Sequence, residues 1–328
     1  MADKIRWGIL ATGNITHKMV AGLQVLDDAE VVAVGSRSLA SADAFADKYG
    51  IPRRHASYEA LCADPEVDVI YVATPHSSHK DCAIMALNGG KAVLCEKPFT
   101  INRAEAAAVV AVAREKKLFL MEAMWTRFLP SVVQARRWVK EGRIGTPQMV
   151  YADFGFRAEY DEECRLFDPA FGGGGLLDVG VYAVSFAAMV FGAAPNRIAS
   201  MAEIGPTKVD DMNAAVLGYP GGGLALVSSA VRAETQQEAR IVGTKGMIHL
   251  PSPFWCGTTA TLTVNESAPE TFALPYDGNG YNCQAQEVMD CMRAGKLESE
   301  VMPLDASIAI MDTLDKMRAQ WGLKYPME

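Results

Sequence analysis

The sequence predicts an α/β protein of two unlike parts: a doubly wound parallel sheet, then an α/β domain with a large, mostly antiparallel open sheet. Three observations lead there. Over residues 1–122, apolar runs of strand length alternate with helix-length segments, the grammar of parallel strands joined by crossover helices. From Ala123 onward most elements are strand-like and glycine turns join several of them. At 328 residues the chain is long enough to bury two cores.

The first strand, Ile5–Leu10, runs into Ala11-Thr12-Gly13-Asn14-Ile15-Thr16 and then a helical pattern from His17 to Leu26. Strand, glycine turn and helix in that order open a dinucleotide-binding βαβ unit of the Rossmann type, in which the helix N-terminus receives a pyrophosphate. Where G-x-G-x-x-G/A is expected, the chain reads Ala11-x-Gly13-x-x-Thr16, keeping the glycine that lets backbone approach phosphate. An ordinary βα turn is the alternative. The second strand, Val31–Val34, ends at Gly35-Ser36-Arg37. An NAD site would place a carboxylate near this strand end for the ribose 2′-hydroxyl. A hydroxyl and a guanidinium suit a 2′-phosphate instead, so NADP is expected over NAD. The alternative is an exposed arginine opening the next helix.

The alternation continues. Helix Ser41–Tyr49 closes on Gly50, a short helix spans Ser57–Cys62, and Val67–Val72 forms a strand. It leads into Ala73-Thr74-Pro75-His76-Ser77-Ser78-His79, followed by helix Lys80–Asn88. The apolar strand Val93–Cys95 stops at Glu96-Lys97-Pro98, the end of a parallel strand where α/β proteins place ligands. Glu96 and Lys97 could also be a solvated pair. A helix then reaches Lys117, and Leu118–Glu122 returns as a strand.

In the second part, helix Val132–Glu141 precedes candidate strands Gln148–Phe156, Arg197–Ile204, Asn213–Tyr219, Leu224–Val231, Glu238–Val242, Met247–Leu250 and Thr259–Val264. Gly221-Gly222-Gly223 and Gly243-Thr244-Lys245-Gly246 are read as hairpin turns. An open sheet face needs cover, so a homodimer through this sheet is expected. Helices Asn282–Ala294 and Pro303–Trp321 close the chain. The change of grammar divides it into a cofactor domain, 1–122, and a substrate-binding and dimerisation domain, 123–328.

Composition narrows the partners. A net charge of −8 without a Lys/Arg cluster argues against nucleic acid or an anionic membrane. The seven cysteines, odd in number and without Cys-x-x-Cys, indicate neither a disulfide framework nor a metal site. Reduced thiols in a cytoplasmic protein are expected. The first strand starts too near Met1 for a signal peptide. The longest apolar stretch, Val179–Ala194, falls short of the roughly 20 residues that span a bilayer and is read as a buried helix.

Within the second part lies Phe171-Gly172-Gly173-Gly174-Gly175-Leu176-Leu177-Asp178-Val179-Gly180-Val181-Tyr182. No Gly-Lys-Ser/Thr follows the glycines, so they are not a phosphate loop; they read as a mobile approach to a helix. Asp178 and Tyr182 are four apart and share a helical face. An aspartate on an apolar helix is costly to bury unless paired, although Asp178 could instead complement its helix dipole.

Glu96-Lys97-Pro98 after a strand, Thr74-Pro75 with His79 before a helix, and Gly-Gly-Gly-x-Leu-x-Asp-x-Gly-x-Tyr resemble the glucose-fructose oxidoreductase/inositol dehydrogenase family over nearly the whole chain. Met121-Glu122-Ala123-Met124-Trp125-Thr126-Arg127-Phe128 resembles the branch with dimeric dihydrodiol dehydrogenases and NADP-dependent D-xylose dehydrogenases. The resemblance implies a Rossmann domain, a C-terminal α/β domain with an open sheet, and a site at their junction. It implies a cofactor site to which Thr74, Pro75, His76, His79, Glu96, Lys97 and Pro98 contribute, with the Lys97–Pro98 bond cis. His79 would orient substrate or cap a helix.

Lys97 would be the catalytic lysine, Asp178 a substrate-orienting residue, and Tyr182 would stand where many members carry histidine. A free tyrosine has a pKa near 10, so a proton relay at neutral pH needs a nearby cation, for which Lys97 is the candidate. The alternative makes Lys97 the direct proton donor. Trp125, Arg127, Phe154 and Trp255 complete the expected pocket, whose aromatics would accept a sugar ring or a cyclic diol. The implied function is hydride transfer between NADP and a secondary hydroxyl or carbonyl of a sugar or cyclic trans-diol. Two alternatives are a sugar–sugar oxidoreductase with permanently bound NADP and a non-catalytic NADP sensor. The early first strand leaves no arm to clasp a cofactor, so a dissociable one is expected.

Overall fold

The computed structural model describes residues 4–328. They form two compact units: the chain up to Thr100 with Ala104–Trp125 and Asp277–Ser307, and Ile101–Arg103 with Thr126–Tyr276 and Ile308–Glu328.

In the first unit, β1 (Ile5–Leu10), β2 (Ala29–Gly35), β3 (Arg53–His55), β4 (Val69–Val72), β5 (Ala92–Glu96) and β6 (Leu120–Ala123) pair in parallel. Their order is β3-β2-β1-β4-β5-β6. The connecting helices are α1 (Asn14–Leu23), α2 (Leu39–Tyr49), α3 (Tyr58–Cys62), α4 (His79–Asn88) and α5 (Arg103–Lys116). Every residue of β4 and β5 is buried, as strands covered on both faces require. Strand order reverses between β1 and β4, so their carboxyl ends flank the crevice in which such sheets take ligands. Helix α1 begins three residues earlier than its apolar pattern suggests, directly after the glycine turn.

The second unit is built on β7 (Pro147–Gly155), β8 (Arg197–Ile204), β9 (Asp210–Gly218), β10 (Leu224–Ala230), β11 (Ala239–Gly243), β12 (Gly246–Leu250), β13 (Thr259–Val264) and β14 (Glu270–Ala273). They form one eight-stranded sheet in the order β14-β13-β12-β11-β7-β10-β9-β8. Only the central β7–β10 pair is parallel. Helix α6 (Pro130–Lys140) packs on β12 and β13, and α7 (Val181–Phe191) on β7 and β10. Another face stays open as a groove of about 1250 Å³ whose lining includes Tyr151, Ile198, Val216, Leu226 and Met247. A wide π-helical turn, Leu176–Gly180, precedes α7, which Gly192 ends at φ 65°. The window Pro169–Phe191 is apolar and long enough to cross a membrane, but 78% of its best segment is buried in the fold, as in a core helix.

Two late helices, α8 (Tyr281–Arg293) and α9 (Leu304–Trp321), lie where the sequence places them. α8 belongs to the first unit and packs on α1, where a Cβ on Gly22 would stand 2.9 Å from the Asn282 nitrogen.

Candidate active site

The predicted cofactor residues of the first unit gather at the carboxyl ends of β1, β2, β4 and β5, four neighbouring strands. Ala11 takes φ 85°, the left-handed conformation usually left to glycine, and its N–H reaches the Gly35 carbonyl at 2.9 Å. The tight turn therefore survives without the first fingerprint glycine. Gly13 is the N-cap of α1, and nothing lies within 4 Å of a Cβ built on it. No side chain caps α1, and its first turn holds no acid. An open, uncapped helix N-terminus preceded by Thr12 and followed by Asn14 and Ile15 fits a pyrophosphate. At the end of β2, Ser36 is buried and Arg37 exposed, and the strand end offers no carboxylate. The Arg37 charge lies beside the Tyr58 hydroxyl, partly offsetting the upward push that burial gives its pKa.

Thr74, Pro75 and His76 follow β4, and His76 opens a short 3-10 turn before α4. The His79 ring is fully buried: Nδ1 lies 2.8 Å from the Pro98 carbonyl and Nε2 2.9 Å from that of Thr74. It braces the loop after β4 against the loop after β5. Burial lowers its pKa, and the two carbonyls act in the opposite sense. Ser78, not His79, is the N-cap of α4. The Lys97–Pro98 peptide is cis. Glu96 is fully buried, accepting a hydrogen bond from the Tyr71 hydroxyl at 2.5 Å and one from the Lys97 N–H at 3.2 Å. Burial pushes its carboxyl up to about 7 against the lowering effects of Lys97 and Tyr71. Lys97 itself is half-buried. Trp125 stacks on Tyr281 within this unit, ring centroids 4.4 Å apart.

In the second unit, Phe154 and Trp255 stack with centroids 4.7 Å apart and planes 6° apart. The Tyr182 ring tilts against both, at 5.3 and 6.5 Å. The Trp255 indole N–H donates to Gln237 Oε1 at 3.0 Å, and the Thr126 hydroxyl to the Trp255 carbonyl at 2.8 Å, which fixes the wall. Asp178 sits in the π-helical turn, nearly buried, with Arg165 Nη1 3.2 Å away. Arg127 is buried and its guanidinium reaches α7, donating to the Ser185 hydroxyl at 3.0 Å and the Ser185 carbonyl at 2.9 Å. It braces the helix that carries Tyr182. Sequence reasoning missed Arg165 and Gln237: each is a polar residue in an irregular segment, and only the fold shows what it meets.

A dinucleotide-type glycine turn in one unit, and an aromatic cluster with Asp178 and Tyr182 in the other, fit the class of oxidoreductases with an NAD-binding Rossmann fold. Two family models match: the oxidoreductase family with NAD-binding Rossmann fold over residues 5–124, and the GFO/IDH/MocA C-terminal domain over 132–249. The chain belongs to the Gfo/Idh/MocA oxidoreductase family and is a dehydrogenase acting on CH–OH groups. It is 38% identical to human trans-1,2-dihydrobenzene-1,2-diol dehydrogenase over 99% of both chains, and 38% identical to the zebrafish (Danio rerio) enzyme of that name over the same shares. Among solved structures, it shares its fold with an aldose-aldose oxidoreductase from Caulobacter crescentus (TM-score 0.89, 24% identity, 97% and 98% of the two chains). A 3-ketoreductase from Actinomadura kijaniata, solved with NADP and TDP-benzene, matches at TM-score 0.85 and 25% identity over the same shares.

Proposed function

We propose that this chain is an NADP-dependent oxidoreductase for a secondary hydroxyl or carbonyl of a cyclic trans-diol or sugar. Residues 1–122 serve the cofactor and 123–328 the substrate and a homodimer, except that Asp277–Ser307 returns to the first unit and supports it. Ala11, Thr12, Gly13, Asn14 and Ile15 hold the pyrophosphate, and Ser36 with Arg37 holds a 2′-phosphate. Thr74, Pro75, His76, Glu96, Lys97 and Pro98 shape the loops at the other strand ends, and His79 braces two of them. When bound, a nicotinamide cofactor would supply the hydride acceptor or donor. Tyr182 exchanges the proton of the substrate hydroxyl, assisted by Lys97, and Asp178 orients that hydroxyl. The stacked Phe154–Trp255 pair receives the apolar face of the ring, with Trp125 as a further aromatic.

The observation that carries this reading is a phenol set against two stacked aromatics, with a carboxylate on the turn just before it. Full-length similarity to dihydrodiol dehydrogenases supports the diol as first choice. The exposed apolar groove of the eight-stranded sheet supports a second copy as its cover. The free cysteines suit the reducing cytoplasm. The test follows NADPH absorbance against trans-diols, aldoses, inositols and keto-sugars, repeated with NAD. Turnover of a trans-diol or an aldose such as D-xylose with NADP is expected. A clear NAD preference would defeat the roles given to Ser36 and Arg37, and absence of turnover on every substrate, with NADP binding intact, would defeat the enzymatic reading.

A further inference from the structure

We propose that Asp210 is a positioning residue for Asp178 and Tyr182: its buried carboxylate anchors the first turn of the helix that presents both, and the glycine run before that helix is shaped to admit it. The inference rests on Tyr182 as the proton-exchanging group.

Asp210 opens β9 and is fully buried. Its Oδ2 accepts the Leu176 N–H and an Asn213 amide N–H, each at 2.7 Å, and Asn213 also donates to the Ser229 hydroxyl at 2.7 Å. Oδ1 is buried without a hydrogen-bond partner among the described residues. Leu176 is the first residue of the π-helical turn that contains Asp178 and continues into the helix of Tyr182. The carboxylate therefore takes a backbone donor that no earlier turn could satisfy, at the end where a helix dipole favours negative charge.

The glycines fit around this group. A Cβ on Gly174 would lie 2.5 Å from Asp210 Oδ1, and the residue sits at φ 107°, so a side chain fails there twice. A Cβ on Gly175 would stand 3.2 Å from Oδ2, and one on Gly180 2.6 Å from the Ser229 hydroxyl. Gly173 is pressed against the Leu166 carbonyl, and its own carbonyl accepts the Tyr325 hydroxyl at 2.6 Å. The run is a packed cradle rather than the mobile approach its composition suggests. The groups facing Asp210 are Asn213, Asp211 and Tyr325; burial raises its carboxyl to about 7, opposed by Asn213 and Leu176. A buried acid held against that cost needs a local reason. Fixing the helix that presents Asp178 and Tyr182 supplies one.

The test compares Asp210→Ala with Asp210→Asn in the full-length protein. An amide oxygen in the Oδ2 place still accepts both donors, whereas alanine accepts neither. Asp210→Ala is expected to lower kcat about 100-fold, as misplacement of reacting groups by about 1 Å does, with the KM for NADPH changed by less than about twofold. Asp210→Asn should recover kcat to within about fivefold of the native value. Amide hydrogen exchange over residues 174–182, which needs no turnover, should speed up about tenfold or more in Asp210→Ala and stay near native in Asp210→Asn. Native kcat in Asp210→Ala, or unchanged exchange in that segment, would overturn the proposal. Should Asp210→Ala not fold, Asn213→Ala removes one donor and leaves the carboxylate; a kcat fall of about threefold or more at constant KM for NADPH is expected, and an unchanged kcat overturns the proposal. A chain inactive on every diol and sugar would refute the role of Tyr182, while the exchange result would still decide the anchor.

Discussion

The two sheets solve different problems. In the six-stranded parallel sheet the central strands are buried along their length, so the chain can offer chemistry only at strand ends, where Gly13, Arg37, Thr74 and Lys97 fall. In the eight-stranded sheet exposure alternates residue by residue, as in β8. One covered face supports α7 with Tyr182, while apolar residues such as Val216 and Leu226 remain about 40% exposed. In the first sheet the candidate residues fall in loops; in the second they fall on a helix, and an apolar face remains part-exposed.

The largest effect is expected at the two residues proposed to handle the proton. Lys97→Met and Tyr182→Phe should each lower kcat by about 1000-fold, about 4 kcal/mol, with NADPH binding retained. Turnover of Lys97→Met within a few-fold of native would remove the lysine from the mechanism and leave the first unit as a cofactor holder only. Next comes the open face. Leu226→Asp places a charge in the apolar groove, and burying it unpaired in both copies should weaken a dimer about 100-fold or more. Light scattering should then report one chain's mass, with NADPH affinity unchanged. A native protein already monomeric at high concentration would leave the sheet face without its partner.

Arg37→Ala tests the loop that follows β2. Loss of charge-assisted hydrogen bonds to a 2′-phosphate, about 1.5–3 kcal/mol, should raise the KM for NADPH about 10- to 100-fold and leave that for NADH untouched. Equal effects on the two cofactors would make Arg37 a surface residue beside Tyr58 and nothing more.

The parallel half was more legible than the antiparallel half, for a local reason. Strand ends, glycine turns and helices succeed one another within a few residues there, so Ala11–Thr16, Ser36–Arg37 and Glu96–Pro98 could be placed from short windows. Each half also holds one strand with no apolar period to read: β3, three residues of Arg-Arg-His, and β14, exposed at each residue along a sheet edge. In the second unit the decisive contacts are distant in sequence. The Arg165–Asp178 pair and the stack of Phe154 on Trp255 join segments with no common pattern. The glycines at 173–175 were legible as glycines, but their reason is Asp210, brought to them from β9 by the fold.

The smallest expected effect compares one buried carboxyl in each unit, Glu96 and Asp210, both raised by burial to about 7. An unfolded chain releases the Glu96 proton near 4.5, while the folded protein keeps it until about 7. The stabilisation from that retained proton is therefore fully present below about 4.5 and is lost as pH rises through about 7. Glu96→Gln imitates the protonated, uncharged form, so its Tm should lie close to native at pH 5. At pH 8 the native protein has had to ionise Glu96 beside Glu122, with only Lys97 and the Tyr71 hydroxyl to offset burial. The Tm of the variant should then exceed native by about 2–4 °C more than at pH 5, the scale of one kcal/mol in a domain of ordinary size. Parallel Tm–pH curves for the two proteins would mean that the first unit holds Glu96 ionised throughout this range.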